Sequence, residues 1–361
     1  MATLNLGSSI PVPSIKELVA QPLDTVPLRY IRDLDADYPT AAAFPGDSSV
    51  QLPLLDMAKL VDPQYQEIEL QKLHDACKNW GIFQLQLIGH GVPDESLKAM
   101  HKKTQEFFDL SPEDKNQYAQ KPGSLEGYGQ AFVISEDQKL EWCDMIFLKA
   151  IPTHTRKLEF WPEEQPRNFR EALHVYSHDM RKTAVSIIGF IAMALGLDFK
   201  DFREVFEGGN YDVRMNCYPP CPEPERVIGI SSHADLSGIT LLTDCGDIPG
   251  LQVLKDGRWV FVEPITDGMV VNIGIIMEIV SNGVYKAPYH RAAVNRHKDR
   301  FSIVTFCYPS KKFDIKPAKE LINPDSLALY KSFTNDEYFR SFYERTELSD
   351  DGVPFIDTVK I

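Results

Sequence analysis

The chain has 361 residues, 43% apolar, 25% charged and 11% aromatic, the proportions of a folded globular protein and not of a disordered one. Its 38 Lys and Arg against 52 Asp and Glu give a formal charge of −14, which argues against a nucleic-acid surface, since that needs a basic stripe. The amino terminus lacks the basic and apolar regions of a secretory leader, and no apolar run approaches the roughly 18 residues of a membrane span.

Cys77, Cys143, Cys217, Cys221, Cys245 and Cys307 read as free thiols of a reducing compartment. The expectation is a cytoplasmic, monomeric protein that takes a small molecule and neither a membrane nor a nucleic acid.

In chain order, residues 1–50 read as an irregular arm with one short helix near Ser14–Ala20. Pro53–Met57 reads as a strand. Leu70, Leu73, Cys77 and Trp80 recur at helical spacing, and Gly81 ends that helix. Phe83, Leu85 and Leu87 then alternate with Gln84 and Gln86, which predicts a strand. Asp94 is placed to cap a helix through Leu97, Met100 and Phe107. The longest helix should run from about Pro166 to Leu195. His174 and His178 stand four apart on it with no acidic partner motif, so they read as partly exposed helix histidines.

Beyond Gly208-Gly209 the chain changes to short strands and turns. Leu251–Leu254 and Arg258–Val262 flank Asp256-Gly257, the signature of a hairpin, and Ile303–Phe306 is a further strand. Residues 325–348 return to a helical pattern. The expected organisation is an arm (1–50), a helix-rich region (51–208), a strand-rich region (209–312) and a carboxy-terminal helical segment (313–361) packed outside. A mixed α/β architecture follows, with a small β-barrel or double-sheet jelly roll flanked by helices.

His233 and Asp235 lie two apart in Ser-Ser-His-Ala-Asp, a spacing that puts both side chains on one face of an extended strand. His290 from a neighbouring strand would complete two imidazoles and one carboxylate, a set that covers one face of an octahedral non-haem Fe(II). Arg300 and Ser302 likewise share a face. A guanidinium fork with an adjacent hydroxyl suits a carboxylate, so a small dicarboxylic acid would bridge the ion to Arg300. The same parity turns Val304, Phe306 and Tyr308 inward as pocket wall. Arg214, Asn216 and Tyr218 share parity and would supply further donors. The alternative for each is a polar group satisfied inside a barrel, and for Arg214 a salt bridge in place of a substrate carboxylate or phenolate.

The chain resembles the plant 2-oxoglutarate and Fe(II)-dependent dioxygenases of the senescence-related-gene type. That group includes alkaloid O-demethylases and hormone- and flavonoid-modifying oxygenases. The resemblance rests on Trp80–Gln84, His90-Gly91-Val92, Gly127–Phe132, Ser135–Trp142, Met215–Pro222, His233-Ala234-Asp235, Ser281-Asn282-Gly283, His290-Arg291-Ala292 and Arg300-Phe301-Ser302. It implies a double-stranded β-helix core, His233, Asp235 and His290 as iron ligands, and Arg300 and Ser302 as holders of the distal carboxylate of 2-oxoglutarate, with Tyr218 and Asn216 assisting.

It also implies oxidative decarboxylation to succinate and CO2 with O2, supported by ascorbate, and hydroxylation of a small hydrophobic or aromatic metabolite held by Phe132, Arg214, Phe306 and Tyr308. O-demethylation is the alternative outcome. An ascorbate-using oxidase and a non-catalytic jelly-roll binding protein remain open. A zinc hydrolase is disfavoured, because the open positions face an Arg/Ser carboxylate holder and no general base. Three positions depart from the family pattern: Gly89 for asparagine, Cys217 for the middle of Asn-Tyr-Tyr-Pro, and Ile275 for the aspartate of Ile-Gly-Asp.

Overall fold

The computed structural model describes residues 9–21, 23–32, 49–86, 92–133, 135–265, 268–348 and 353–361. The expected strand position Leu87, the departure at Gly89 and the motif residues His90 and Gly91 lie outside the described residues. Within them, no helix is long and apolar enough to cross a membrane. All six cysteines are free thiols, five of them buried.

The strands are β1 (Ser49–Val50), β2 (Leu54–Asp56), β3 (Ile82–Gln86), β4 (Gly127–Gly129), β5 (Asp144–Ile151), β6 (Asn210–Tyr218) and β7 (Ile230–His233). They continue as β8 (Ile239–Asp244), β9 (Leu251–Lys255), β10 (Arg258–Val262), β11 (Gly268–Ile273), β12 (His290–Ala292) and β13 (Arg300–Tyr308). One sheet runs β1-β10-β9-β12-β7, the other β2-β3-β11-β8-β13-β6-β5-β4. Both sheets therefore draw strands from residues that precede 209. A mixed α/β fold results, in which a jelly-roll core lies against an amino-terminal helical region.

Local chemistry accounts for the elements. Asp256 and Gly257 adopt positive φ (49° and 76°) and pair Lys255 with Arg258, the tight hairpin that an Asp-Gly turn favours. Gly81 ends its helix at φ 67°, and a Cβ there would lie 2.1 Å from the Lys286 carbonyl oxygen, so only glycine fits. The expected strand at 53–57 stops at Asp56. That side chain accepts from the amides of Ala58 (2.9 Å) and Lys59 (3.4 Å) and so starts a helix, α1 (Met57–Val61).

The helix at 70–80 is α2 (Gln66–Asn79). In α3 (Asp94–Phe108) the expected cap is corrected: Pro93 is the capping residue and makes no side-chain bond, while Asp94 is the first helical residue. The longest helix is α4 (Phe169–Ala194), and Asn168 precedes it in the left-handed region. The helix expected over 325–348 is α5 (Asn335–Leu348). Residues before it make isolated bridges instead, Asn323 with Ser326 and Tyr330 with Lys360.

One apolar cluster joins α4 to the outer face of the longer sheet through Tyr176, Ile188, Met215 and Ile303. A second fills the space between the sheets with Ile82, Leu242, Val253, Val270 and Val304. Each such side chain contributes about 1.5–3 kcal/mol on burial. Leu242, Leu251 and Val304 of this inner cluster also line the cavity described below.

Candidate metal and cosubstrate site

His233 closes β7 and His290 opens β12, and the two are direct antiparallel partners. The expectation of one strand running through Asp235 is corrected, because β7 ends at His233. Asp235 is held instead by main-chain bonding, its carbonyl accepting the Ile275 N–H at 2.7 Å. The three side chains still converge: His233 Nε2 and His290 Nε2 each lie 3.7 Å from an Asp235 carboxylate oxygen. They are the one cluster of three such donors among the described residues.

His233 Nδ1 lies 2.8 Å from the Ser231 carbonyl oxygen, and His290 Nδ1 lies 3.1 Å from that of Pro288. A carbonyl only accepts, so each Nδ1 donates its proton there and each Nε2 is left facing the centre of the cluster. Burial, reinforced by the His290 imidazole, pushes His233 down to about 4 and keeps it neutral. Burial would raise the Asp235 carboxyl, but the neighbouring His290 and His233 rings outweigh it, aided by Thr240 and Asn272, and hold it below the usual range. Two imidazoles and a carboxylate are the donor set that fits ferrous iron.

Beside this cluster, β13 pairs Arg300 with Tyr218 and Ser302 with Asn216 on β6. Asn216 donates to the Ser302 hydroxyl at 3.2 Å and accepts from Arg214 Nε at 2.7 Å. The Arg300 guanidinium lies 5.0 Å over the Tyr218 ring, and its Nε is buried with no protein partner. A buried, unsatisfied donor in a cavity is what a polar ligand would complete.

The cavity encloses about 40 Å³ and is lined by all three cluster residues together with Arg214, Asn216, Tyr218, Arg300 and Phe306. Ser302 is fully buried behind Asn216. Phe132 and Tyr308 are not among the lining residues. Tyr308 extends the aromatic wall outward, stacked 6.4 Å from Phe306, and Phe132 sits at φ 59° with its carbonyl bonded by Gln138. His174, on α4, lies 3.1 Å from Arg156 and is not among the residues that line the cavity.

Three residues that sequence reasoning passed over stand in this site. Asn272 donates to Asp235 Oδ2 at 3.2 Å, Thr240 lines the cavity, and Asp244 pairs with Arg300 at 2.5 Å. A lone polar residue in Val270-Val271-Asn272-Ile273 was a usable signal.

Fold and site together define a non-haem iron oxygenase of the jelly-roll class. Residues 52–164 match the family described as non-haem dioxygenase in morphine synthesis, N-terminal, and residues 209–309 match the 2OG-Fe(II) oxygenase superfamily. The chain is 40% identical to oxoglutarate-dependent flavonoid 7-O-demethylase 1 of Ocimum basilicum over 99% of its own length and 93% of that protein's. It is 39% identical to protein SRG1 of Arabidopsis thaliana, with 98% of each covered. A crystal structure of JOX2 in complex with 2OG, Fe and JA superposes with a TM-score of 0.81 at 32% identity, covering 92% of this chain and 94% of that one.

The chain belongs to the plant 2-oxoglutarate- and Fe(II)-dependent dioxygenases, among relatives of SRG1 and of flavonoid- and alkaloid-modifying enzymes. It is an Fe(II)- and 2-oxoglutarate-dependent oxygenase of a small organic substrate.

Proposed function

We propose that this oxygenase hydroxylates a hydrophobic or aromatic plant metabolite. His233, Asp235 and His290 would hold the iron, and Arg300 with Ser302 would hold the distal carboxylate of 2-oxoglutarate, assisted by Tyr218 and Asn216. The carrying observation is that both histidines are fixed as Nδ1–H tautomers by carbonyl oxygens, with Nε2 facing one carboxylate.

When bound, the iron activates O2 so that one oxygen atom enters succinate and the other enters a substrate C–H bond, with release of CO2. The residues of the chain bind and orient. Arg300 supplies charge and a planar fork, Ser302 a hydroxyl, and Phe306 an apolar face that excludes water next to the reacting carbon. Ascorbate would keep the iron reduced. Arg214, already bonded to Asn216, stands where it would meet a phenolate or carboxylate of the substrate, and Phe132 and Tyr308 belong to the outer approach. The four segments 1–50, 51–208, 209–312 and 313–361 act as one catalytic unit. The protein works as a cytoplasmic monomer with no nucleic-acid or membrane partner, in keeping with its acidic charge.

O-demethylation is the second reading, favoured by the likeness to a flavonoid O-demethylase. Hydroxylation of an O-methyl carbon gives a hemiacetal that collapses to formaldehyde and a free hydroxyl. Incubation in air with Fe(II), 2-oxoglutarate and a mixture of methoxylated and unmethoxylated flavonoids, alkaloids and plant hormones should yield succinate in step with a product heavier by oxygen or lighter by CH2. Ligand binding without succinate across that mixture would overturn the catalytic assignment in favour of a binding protein.

A further inference from the structure

Arg300 is only 4% exposed and borders two cavities. On one side is the metal cavity. On the other is a space of about 190 Å³ lined by Asp244, Cys245, Gly246, Asp247 and Asp299. Between them the guanidinium is confined. Tyr218 lies beneath it at 5.0 Å, and Gly250 approaches so closely that a Cβ there would meet Arg300 Cδ and Nε at 2.6 Å. The remaining edge meets Asp244, with Nη2 2.5 Å from Oδ1.

Asp244 is no bystander from the outer surface. It ends β8 as the direct partner of Ser302, on the same inward face as Leu242 and Thr240, both of which line the metal cavity. A carboxylate thus stands beside Ser302 on the fork assigned to the cosubstrate's own carboxylate. Burial pushes the Asp244 carboxyl up, and Arg300 opposes that shift.

We propose that Asp244 is a cosubstrate-tuning residue that occupies one edge of the Arg300 fork and opposes the distal carboxylate of 2-oxoglutarate by like charge. This inference rests on the reading of Arg300 as the cosubstrate holder. The physical basis is that two anions on one buried guanidinium share its charge and repel each other, and in a site shielded from water that repulsion is weakly screened. The chain therefore gives up affinity for 2-oxoglutarate and gains a clamp whose geometry is set before the cosubstrate arrives. Turnover then responds to the supply of 2-oxoglutarate over a higher concentration range than a bare arginine would give.

The full chain, loaded anaerobically with Mn(II) as a redox-inert ion, should be titrated calorimetrically with 2-oxoglutarate and with 2-oxobutanoate, which lacks the distal carboxylate. Asp244→Asn keeps the shape and the hydrogen-bond acceptor but removes the charge. It should tighten 2-oxoglutarate on the order of tenfold while leaving 2-oxobutanoate and Mn(II) affinity unchanged. Asp244→Ser provides the same comparison if the first variant does not fold.

Unchanged or weaker 2-oxoglutarate binding, or equal tightening of both 2-oxo acids, would overturn the proposal. Arg300→Lys separates the two layers of the argument. It should weaken 2-oxoglutarate and spare 2-oxobutanoate, and if it spares both, the holder assignment itself fails.

Discussion

Asn272 offers a sharp test of how the carboxylate of the metal site is held. Its amide is 1% exposed and donates to Asp235 Oδ2 at 3.2 Å, while its own Oδ1 has no protein partner. Replacing it by leucine preserves volume in a strand already flanked by Val270 and Val271, and removes the one side-chain amide on that oxygen. A hydrogen bond to a charged group is worth about 1.5–3 kcal/mol, and the length of this one places it near the lower end.

About 1.5 kcal/mol corresponds to on the order of tenfold in metal affinity, the bottom of the 10–100-fold range usual for groups that orient metal ligands. Titration of the apoprotein with Mn(II), followed by the loss of the free-ion paramagnetic resonance signal, reads this directly. Thermal unfolding of the metal-free protein controls for damage to the barrel. An Asn272→Leu protein that folds normally and binds Mn(II) within twofold of the native chain would refute the claim that this amide orients Asp235.

Two further predictions concern the frame of the site. Asp144 accepts from Ser14 Oγ (2.7 Å) and from the amides of Ile15 and Lys16 (2.9 Å each), docking the one-turn helix Ile15–Leu18 of the amino-terminal arm. Asp144→Ala should release that turn, a loss of about 2–4 kcal/mol locally. Hydrogen exchange should accelerate at Leu18 and Val19, and unchanged protection there would count against the docking role. His101, bonded to Thr243 at 3.1 Å, is pushed down by burial to about 4 from an ordinary 6.5. The unfolded chain therefore binds that proton first as pH falls, so stability should drop between pH 6.5 and 4 by on the order of 2–3 kcal/mol. His101→Gln should flatten that slope in denaturant unfolding, and an unaltered slope would disprove the assignment.

What the sequence made legible follows the range of the interactions involved. The side-chain parity of Arg300 and Ser302, and of Arg214, Asn216 and Tyr218, is a property of single strands, and the register of β13 on β6 brings the two sets together. The Asp256-Gly257 turn is similarly local. By contrast, β5 depends on pairing with β6, from Asp144 against Cys217 to Ile151 against Tyr211, a long-range fact that no single segment carries. Leu327 and Leu329 imitate a helical stripe but are 70% and 53% exposed, because that stretch is held by bridges to other chain segments before α5 begins. Asp244 escaped notice because its partner, Arg300, lies 56 positions away on the adjacent strand.

The described departures from the family pattern become intelligible once main-chain and side-chain roles are separated. Cys217 lies on the face of β6 opposite Asn216 and Tyr218, fully buried in the main apolar cluster, so its change of size is felt by packing and not by the cavity. Ile275 begins the short helix Ile275–Val280 with its side chain in the same cluster, 3% exposed. An aspartate there would gain from the helix start but would need partners in an apolar wall.

The segment carrying Asp235 does not depend on such a side chain. The amides of Gly274, Ile275 and Ile276 donate to the carbonyl oxygens of Gly238, Asp235 and Ser237 at 2.9, 2.7 and 3.2 Å. A Cβ on Gly274 would lie 1.9 Å from the Ser237 oxygen, so this stitching requires glycine at that one position. Backbone hydrogen bonding thus fixes the loop that presents the carboxylate, and the position next to that glycine is free to serve the core.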